Sequence, residues 1–341
     1  MSKLPQMAVE AAESGAAARR QIARCGAGFA QLGEALRKLQ PKLVVTCARG
    51  SSDHAAYYGK YLIETQLGLP VASIGPSIAS LYDTKLHLEG ALFVVVSQSG
   101  RSPDLLRLVA SARASGALVV GFVNDETSPL ATSCDYFLPL CAGPEISVAA
   151  TKSYLMSAFA FLQLVAHWKN DRALLHTVTA TPQALDDATR CDWSDALARL
   201  NMTTGLYVIA RGLGNGAALE MALKCKETSR LHAEAFSAAE VIHGPLALVG
   251  PEFPVIALTQ NDATLDANRA VIERMVALGA TVLSTDPVAG TIGLPVVPDL
   301  PPEIAPLGQV LSFYLAIHKV AQARGLNPDV PPNLKKVTET V

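Results

Sequence analysis

The segment LFVVVSQSGRSPD (Leu92–Asp104) decides the fold class. Its first five residues are apolar without interruption, the pattern of a strand buried on both faces, as parallel sheets require. A polar turn follows, and Pro103 stands where the first turn of a helix tolerates proline. The helix predicted there runs through LLRLVASARA and stops at Gly116. LVVGFV (Leu118–Val123) then predicts another buried strand. Towards the start of the chain, LVVTCA (Leu43–Ala48) reads as a strand and RGSS as its loop. Asp53 to Gln66 reads as a helix closed by Gly68 and Pro70. Strands alternating with helices at this spacing predict an α/β domain with a mostly parallel sheet.

The pattern occurs twice. Arg49 and Arg211, Gln98 and Gln260, and Asp104 and Asp266 all lie 162 residues apart, and Gly116 and Gly279 lie 163 apart. Each landmark has the same strand–loop–helix context, with LYVIA, PVIALT and TVLST as the strands of the second copy. One such match is chance; a common offset across several is the signature of a duplicated unit. The copies are expected to be joined by a helix from Lys152 to Asn170 and a linker around Pro182.

Composition removes several function classes. The 341 residues carry 28 Lys+Arg against 30 Asp+Glu, a net charge of −2. Nucleic-acid binding, which needs a basic face to neutralise phosphates, is therefore not expected. Half the residues are apolar and 17% charged, which excludes disorder and supports a sizeable core. The apolar stretch from Tyr154 to Ala166 is broken by Ser157 and Gln163 and is too short for a bilayer, so no membrane association is expected. The start, MSKLPQMAVEAAESG, has no apolar signal core, and the six cysteines form no CxxC pairs. The expectation is a cytoplasmic protein with buried thiols.

Two regions carry candidate chemistry. Gly50-Ser51-Ser52 and Ser97-Gln98-Ser99-Gly100-Arg101-Ser102 follow the carboxyl ends of predicted parallel strands, where open α/β sheets bind ligands. Both lead into helix N-termini, whose N–H groups favour an anion. The hydroxyls of Ser97, Ser99 and Ser102 and the Gln98 amide are expected to surround a phosphate. Ser102 alone reads equally as an N-cap, but two such loops on neighbouring strands favour phosphate. Neither has GxGxxG spacing or a Walker lysine, which disfavours NAD and ATP. In the second copy the loop has become Thr259-Gln260-Asn261-Asp262-Ala263-Thr264, and the new carboxylate would repel phosphate. The other region, Ala217 to Val249, places Glu220, Lys224 and Glu227 near one helical face. His232, Glu234, Glu240 and His243 follow, the last before a Gly244-Pro245 turn. On composition alone this is a solvated charged face; with a phosphorylated substrate it holds the carboxylate, imidazole and amine that acid–base work uses. Zinc is disfavoured, because there is no HExxH motif or close histidine pair.

These pieces together resemble the sugar isomerase (SIS) family, and specifically the isomerase domain of glutamine–fructose-6-phosphate aminotransferase. The likeness rests on Gly50-Ser51-Ser52, Ser97-Gln98-Ser99-Gly100, ISVAATKSY (Ile146–Tyr154), ALEMALKCKE (Ala218–Glu227), HAEAFSAAEVIHGPLAL (His232–Leu248) and Asn333-Leu334-Lys335-Lys336. It covers the chain from about residue 40. The resemblance implies two tandem SIS domains, each a parallel sheet flanked by helices in a flavodoxin-like three-layer sandwich. Their expected extents are 41–180 for the sugar-phosphate domain and 195–325 for the domain with the acid/base residues. A helical segment, 1–40, precedes them, and a tail, 326–341, closes the active site.

The resemblance also implies roles. Ser51, Ser52 and the Ser97–Ser102 loop look like the sugar-phosphate cradle, and Val148 and Ala149 like the segment lining the sugar. Glu227 corresponds to the carboxylate that moves the proton between C1 and C2, and Lys224 to the lysine assisting at C2. His243 matches the ring-opening histidine, which the family takes from the neighbouring subunit of a homodimer. Lys336 matches the lysine that forms an imine with the open-chain ketose. No cofactor or metal is implied. The chain starts MSKLPQ without the aminotransferases' glutaminase, and SQSGRSPD looks closer to stand-alone SIS-type glucosamine-6-phosphate deaminases. The Asp53-His54 pair departs from the synthase pattern. The expected activity is deamination and isomerisation of glucosamine 6-phosphate to fructose 6-phosphate. A fructosamine-6-phosphate deglycase and a galactosamine or tagatose phosphate enzyme are the neighbouring alternatives. A non-catalytic sugar-phosphate sensor is the alternative of another class.

Overall fold

The structure, a computed structural model, describes residues 4–336. Residues 337–341 of the expected tail lie outside the described residues. The N-terminal half runs α1 (Gln6–Ala12), α2 (Ser14–Leu39), β1 (Val44–Cys47), α3 (Ser51–Leu67), β2 (Val71–Ser73), α4 (Ser77–Ser80), β3 (Leu92–Ser97), α5 (Pro103–Ala114), β4 (Leu118–Val123), α6 (Pro129–Ser133) and β5 (Tyr136–Pro139). Then come α7 (Lys152–Lys169), α8 (Arg172–Ala188), α9 (Ser194–Leu197), β6 (Gly205–Ala210), α10 (Gly214–Ser229), β7 (His232–Ser237), β8 (Pro254–Ala257), α11 (Leu265–Ala277), β9 (Thr281–Ser284), β10 (Ile292–Gly293) and α12 (Ala305–Ala323).

The strands form two five-stranded parallel sheets, ordered β2-β1-β3-β4-β5 and β7-β6-β8-β9-β10. One topology thus occurs twice, and the landmarks at constant offset fall on equivalent elements: β1 with β6, β3 with β8, α5 with α11. In the first sheet Val45 pairs with Phe93 and Phe93 with Val119. All of β1 and β3 is buried, which is why their sequences run apolar instead of alternating. Phe93, Val95, Leu105, Leu108 and Val119 anchor one core, and Tyr207, Ile209, Val255, Ile272 and Val282 the other.

The chain divides into two units. The N-terminal sheet unit comprises Ala16–Glu145, Lys152–Ala180 and residues 335–336. The C-terminal sheet unit comprises residues 4–15, Ile146–Thr151 and Thr181–Leu334. Within the first, α7 is buried from Lys152 to Ala166, so the apolar stretch is a core helix. It packs on α3 so closely that a Cβ on Gly59 would come within 2.4 Å of the Phe161 ring. No helix among the described residues is long and apolar enough to cross a membrane.

Two local expectations are corrected. Pro182 does not mark a loop: it lies inside α8. The proline ring holds φ near its helical value, and the bond forgone is the one its missing N–H would have made. In addition, α3 begins at Ser51, not Asp53, because Gly50 takes the non-helical N-cap conformation, with φ +53°. Ser51 and Ser52 are therefore in the first helical turn.

Candidate active site

In the N-terminal sheet unit, β1 and β3 are neighbours, with β2 beyond one and β4 beyond the other. The strand order reverses between them, so the loops at their carboxyl ends flank the switch-point crevice where such sheets bind ligands. The first loop delivers Ser51 and Ser52 to the start of α3, and the second delivers Ser97, Gln98, Ser99 and Ser102 to the start of α5. Ser97 is buried, and its Oγ accepts the Gly100 N–H at 2.9 Å. Gly100 has φ +63°, and a Cβ there would stand 2.2 Å from Ser128 Oγ, so the loop requires glycine. Ser102 occupies the N-cap position but makes no side-chain cap bond, unlike an ordinary capping serine. Arg49 ties the two loops, its Nη2 meeting the buried Asp104 of α5 at 2.9 Å. Arg101 pairs with Asp125 at 2.8 Å. Burial pushes the Asp53 carboxyl up, against the opposing influence of His54.

In the equivalent loop of the C-terminal sheet unit a carboxylate turns back on its own backbone. Asp262 Oδ1 accepts the Thr264 N–H at 2.8 Å and its hydroxyl at 2.6 Å. Asp262 Oδ2 accepts from Gln260 Nε2 at 3.0 Å, and that amide also donates to the Arg211 carbonyl at 2.7 Å. Donors that would meet an external anion at the start of α11 already hold the protein's own carboxylate.

The same unit carries a buried charge network on α10. Lys224 and Glu220 are fully buried and 3.2 Å apart, and Lys224 also pairs with Glu227, whose side chain remains 20% exposed. The Tyr314 hydroxyl donates to Glu220 Oε1 at 2.8 Å. Burial works against the charge on Lys224, but the carboxylates of Glu220 and Glu227 outweigh it and push its pKa up to about 12. Lys224 therefore keeps its proton at neutral pH. Glu227 is the partly exposed carboxylate beside it.

His243 ends a 3-10 turn, Glu240–His243, on the exterior of this unit. Tyr207 donates to the Pro245 carbonyl at 3.1 Å and steadies the turn that follows. Val148 and Ala149 belong to the short Ile146–Thr151 segment of the C-terminal sheet unit. Glu10, itself 1% exposed, accepts the Ile146 N–H at 2.5 Å and the Ser147 N–H at 3.3 Å. The Val148 N–H donates to the Asp329 carbonyl at 3.1 Å. The Asp329 carboxylate accepts the Gln6 and Met7 N–H groups, each at 2.7 Å. In the N-terminal sheet unit, Lys336 Nζ lies 3.1 Å from the buried Glu145, which also accepts from the Ser153 hydroxyl at 2.6 Å. Sequence reasoning missed Glu10, Glu145 and Asp329. The sole local signal was a carboxylate amid an alanine-rich helix (Glu10).

The SIS domain model matches residues 39–167 and 203–289, which hold every strand of the first sheet and β6 to β9 of the second. The chain is 34% identical over 324 residues to glutamine–fructose-6-phosphate aminotransferase (isomerizing) of Symbiobacterium thermophilum, covering 88% of this chain and 52% of that protein. It thus spans about half the length of the curated relatives it matches. Among solved structures, a Silicibacter pomeroyi DSS-3 protein assigned as a phosphosugar isomerase superposes with a TM-score of 0.91. Its identity is 39%, over 96% of this chain and 100% of that one. The C-terminal domain of glucosamine-fructose-6-phosphate aminotransferase from Francisella tularensis gives a TM-score of 0.86 at 25% identity, over 97% and 99%. With the family model matching more than half of the chain, in both sheets, and the same fold recurring along the full length of these solved chains, the chain belongs to the SIS domain family.

Proposed function

We propose that the protein is an amino-sugar-phosphate isomerase and deaminase that converts glucosamine 6-phosphate to fructose 6-phosphate and ammonia. The observation that carries this reading is the buried Glu220–Lys224–Glu227 network, which fixes an ammonium beside a partly exposed carboxylate. Burying charge is costly, and such clusters with shifted pKa values concentrate where proton transfer is done. In this reading the N-terminal sheet unit holds the phosphate with Ser51, Ser52, Ser97, Gln98, Ser99 and Ser102. Those contacts supply binding energy remote from the reacting carbons. His243 opens the ring to expose the C1 aldehyde. Glu227 takes the C2 proton and returns it to C1, while the Lys224 ammonium stabilises the charge that develops between those steps. The resulting C2 imine adds water and releases ammonia. Lys336 must leave Glu145 before its amine attacks a carbonyl.

A homodimer sharing His243 across subunits is part of the same reading. Its support is the surface around that residue, where Ile242 is 40% and Leu248 67% exposed. The test is to incubate the protein with glucosamine 6-phosphate and measure ammonia and fructose 6-phosphate together. Stoichiometric release of both supports the proposal. Binding without turnover would instead give a sugar-phosphate sensor, and turnover of galactosamine 6-phosphate alone would move the substrate to the other epimer.

A further inference from the structure

Cys25 of α2 and Cys141, just beyond β5, are 116 residues apart in sequence, yet their sulfurs lie 3.9 Å apart. Both belong to the N-terminal sheet unit. Both are buried, and Cys141, at 7% exposed, is slightly the nearer to solvent. Cys25 is 2% exposed, and its thiol donates to the Pro139 carbonyl at 3.3 Å. Cys141 lines a cavity of about 380 Å³ whose wall also includes Arg20, Arg24, Asn124, Asp125 and Glu126. A cavity of that volume has room for a small peroxide. Arg20 donates from Nε and Nη2 to the Cys141 carbonyl at 3.3 and 3.2 Å, which brings one guanidinium to this residue. Arg24 is paired with Glu126 at 2.7 Å, and the carboxylate partly offsets the second guanidinium.

From this geometry we propose that Cys141 is a peroxide-reactive thiol and that Cys25 is its resolving partner, the two forming a reversible disulfide. The Cys141 thiolate attacks one oxygen of a hydroperoxide. The O–O bond breaks, the departing oxygen takes a proton, and the sulfur, oxidised by two electrons, carries a hydroxyl as sulfenic acid. Cys25 gives up its proton and attacks that sulfur. The S–S bond forms, the S–O bond breaks, and the hydroxyl leaves as water. Two thiols and one hydrogen peroxide become one disulfide and two waters, and an external thiol reverses the step by exchange.

Electrostatics agree with the order of events. The Cys141 thiol is lowered from its ordinary value, first by its contact with the Cys25 sulfur and then by Arg24 and Arg20, against burial and Glu126. Each of the other five cysteines is raised. Cys47, Cys134 and Cys225 are pushed up to about 12 and Cys191 less far, all chiefly by burial. Cys25 is raised first by its contact with the Cys141 sulfur and then by burial. The thiolate is the nucleophile, so reactivity follows that order.

The test is limited hydrogen peroxide treatment of the intact protein, labelling of the remaining thiols, and peptide mass analysis. The wild type should lose the Cys25 and Cys141 thiols together, in a cross-linked peptide pair that a reductant restores. Loss should be faster than at the partly exposed Cys191, whose thiol burial raises. With Cys25→Ser, Cys141 should accumulate as a sulfenic acid captured by dimedone; with Cys141→Ser, Cys25 should stay reduced. Oxidation of Cys134 or Cys191 ahead of Cys141 in the wild type would overturn the proposal. So would a wild-type Cys141 dimedone adduct without any link to Cys25.

Discussion

Replacing Lys224 with methionine removes the cation held between Glu220 and Glu227 and keeps a side chain of similar length. Both Lys224 and Glu220 are fully buried, so water cannot take over the lost partner. Breaking a buried ion pair from one side costs about 3–5 kcal/mol, because the remaining charge is left uncompensated. The Tyr314 hydroxyl stays on Glu220 and places the expected value towards the lower end of that range. In a unit of this size each kcal/mol moves Tm by roughly 2–4 °C, so a fall of about 6–20 °C follows at neutral pH. The pH dependence has a definite sign. In the native protein the Lys224 pKa is raised from 10.5 to about 12, so its contribution is fully present below 10.5 and is lost as pH rises through about 12. Near neutrality that contribution is constant. Thermal unfolding followed by circular dichroism at neutral pH and above pH 10.5 reads both effects. A variant within about 2 °C of wild type at neutral pH would show that the charges are hydrated or neutral, and the reasoning would be refuted.

Glu227→Gln should cut turnover by roughly 10²–10⁴-fold with little change in KM, the worth of a positioned general base. If His243 acts across a dimer, mixing inactive Glu227→Gln and His243→Ala proteins should restore about a quarter of wild-type activity after subunit exchange. A mixture that stays dead despite demonstrated exchange removes the shared site. Ser99→Ala and Ser102→Ala should raise KM more than they lower kcat, since phosphate contacts are made in ground and transition states alike. Thr264→Ala in the second loop serves as the control, with KM unchanged. Gly100→Ala should weaken sugar-phosphate binding and lower stability by about 1–3 kcal/mol, through its left-handed backbone and the contact with Ser128. If the companion change Ser128→Gly fully rescued it, the cost would lie in the contact alone.

The duplication was legible because a strand buried on both faces leaves an apolar run of fixed length, and Gly116 and Gly279 mark the same helix ends in each copy. Ser97 through Ser102 could be found because their place after a strand and before a helix is local. The second loop could be set aside because Asp262 is visible in the sequence, although only the structure shows the carboxylate bonded to its own loop. Glu10 and Glu145 could not be read. Their partners lie 136 and 191 residues away, and a single carboxylate that accepts distant N–H groups or holds a distant ammonium leaves no periodic trace. Pro182 misled because proline breaks helices on average, whereas α8 tolerates it.

The Asp329 carboxylate that receives the Gln6 and Met7 N–H groups comes from the far end of the described chain, 323 and 322 residues later. On a ribosome adding roughly 5–20 residues per second, the first helix therefore emerges on the order of 15–65 s before its partner exists. The N-terminal sheet unit has all its strands long before that. The other unit can be completed only after Asp329 has been made, so Gln6 and Met7 wait for their native bonds while more than 300 residues are added behind them. A nascent chain stalled after β10 should thus protect the first sheet from protease while leaving α1 open to cleavage.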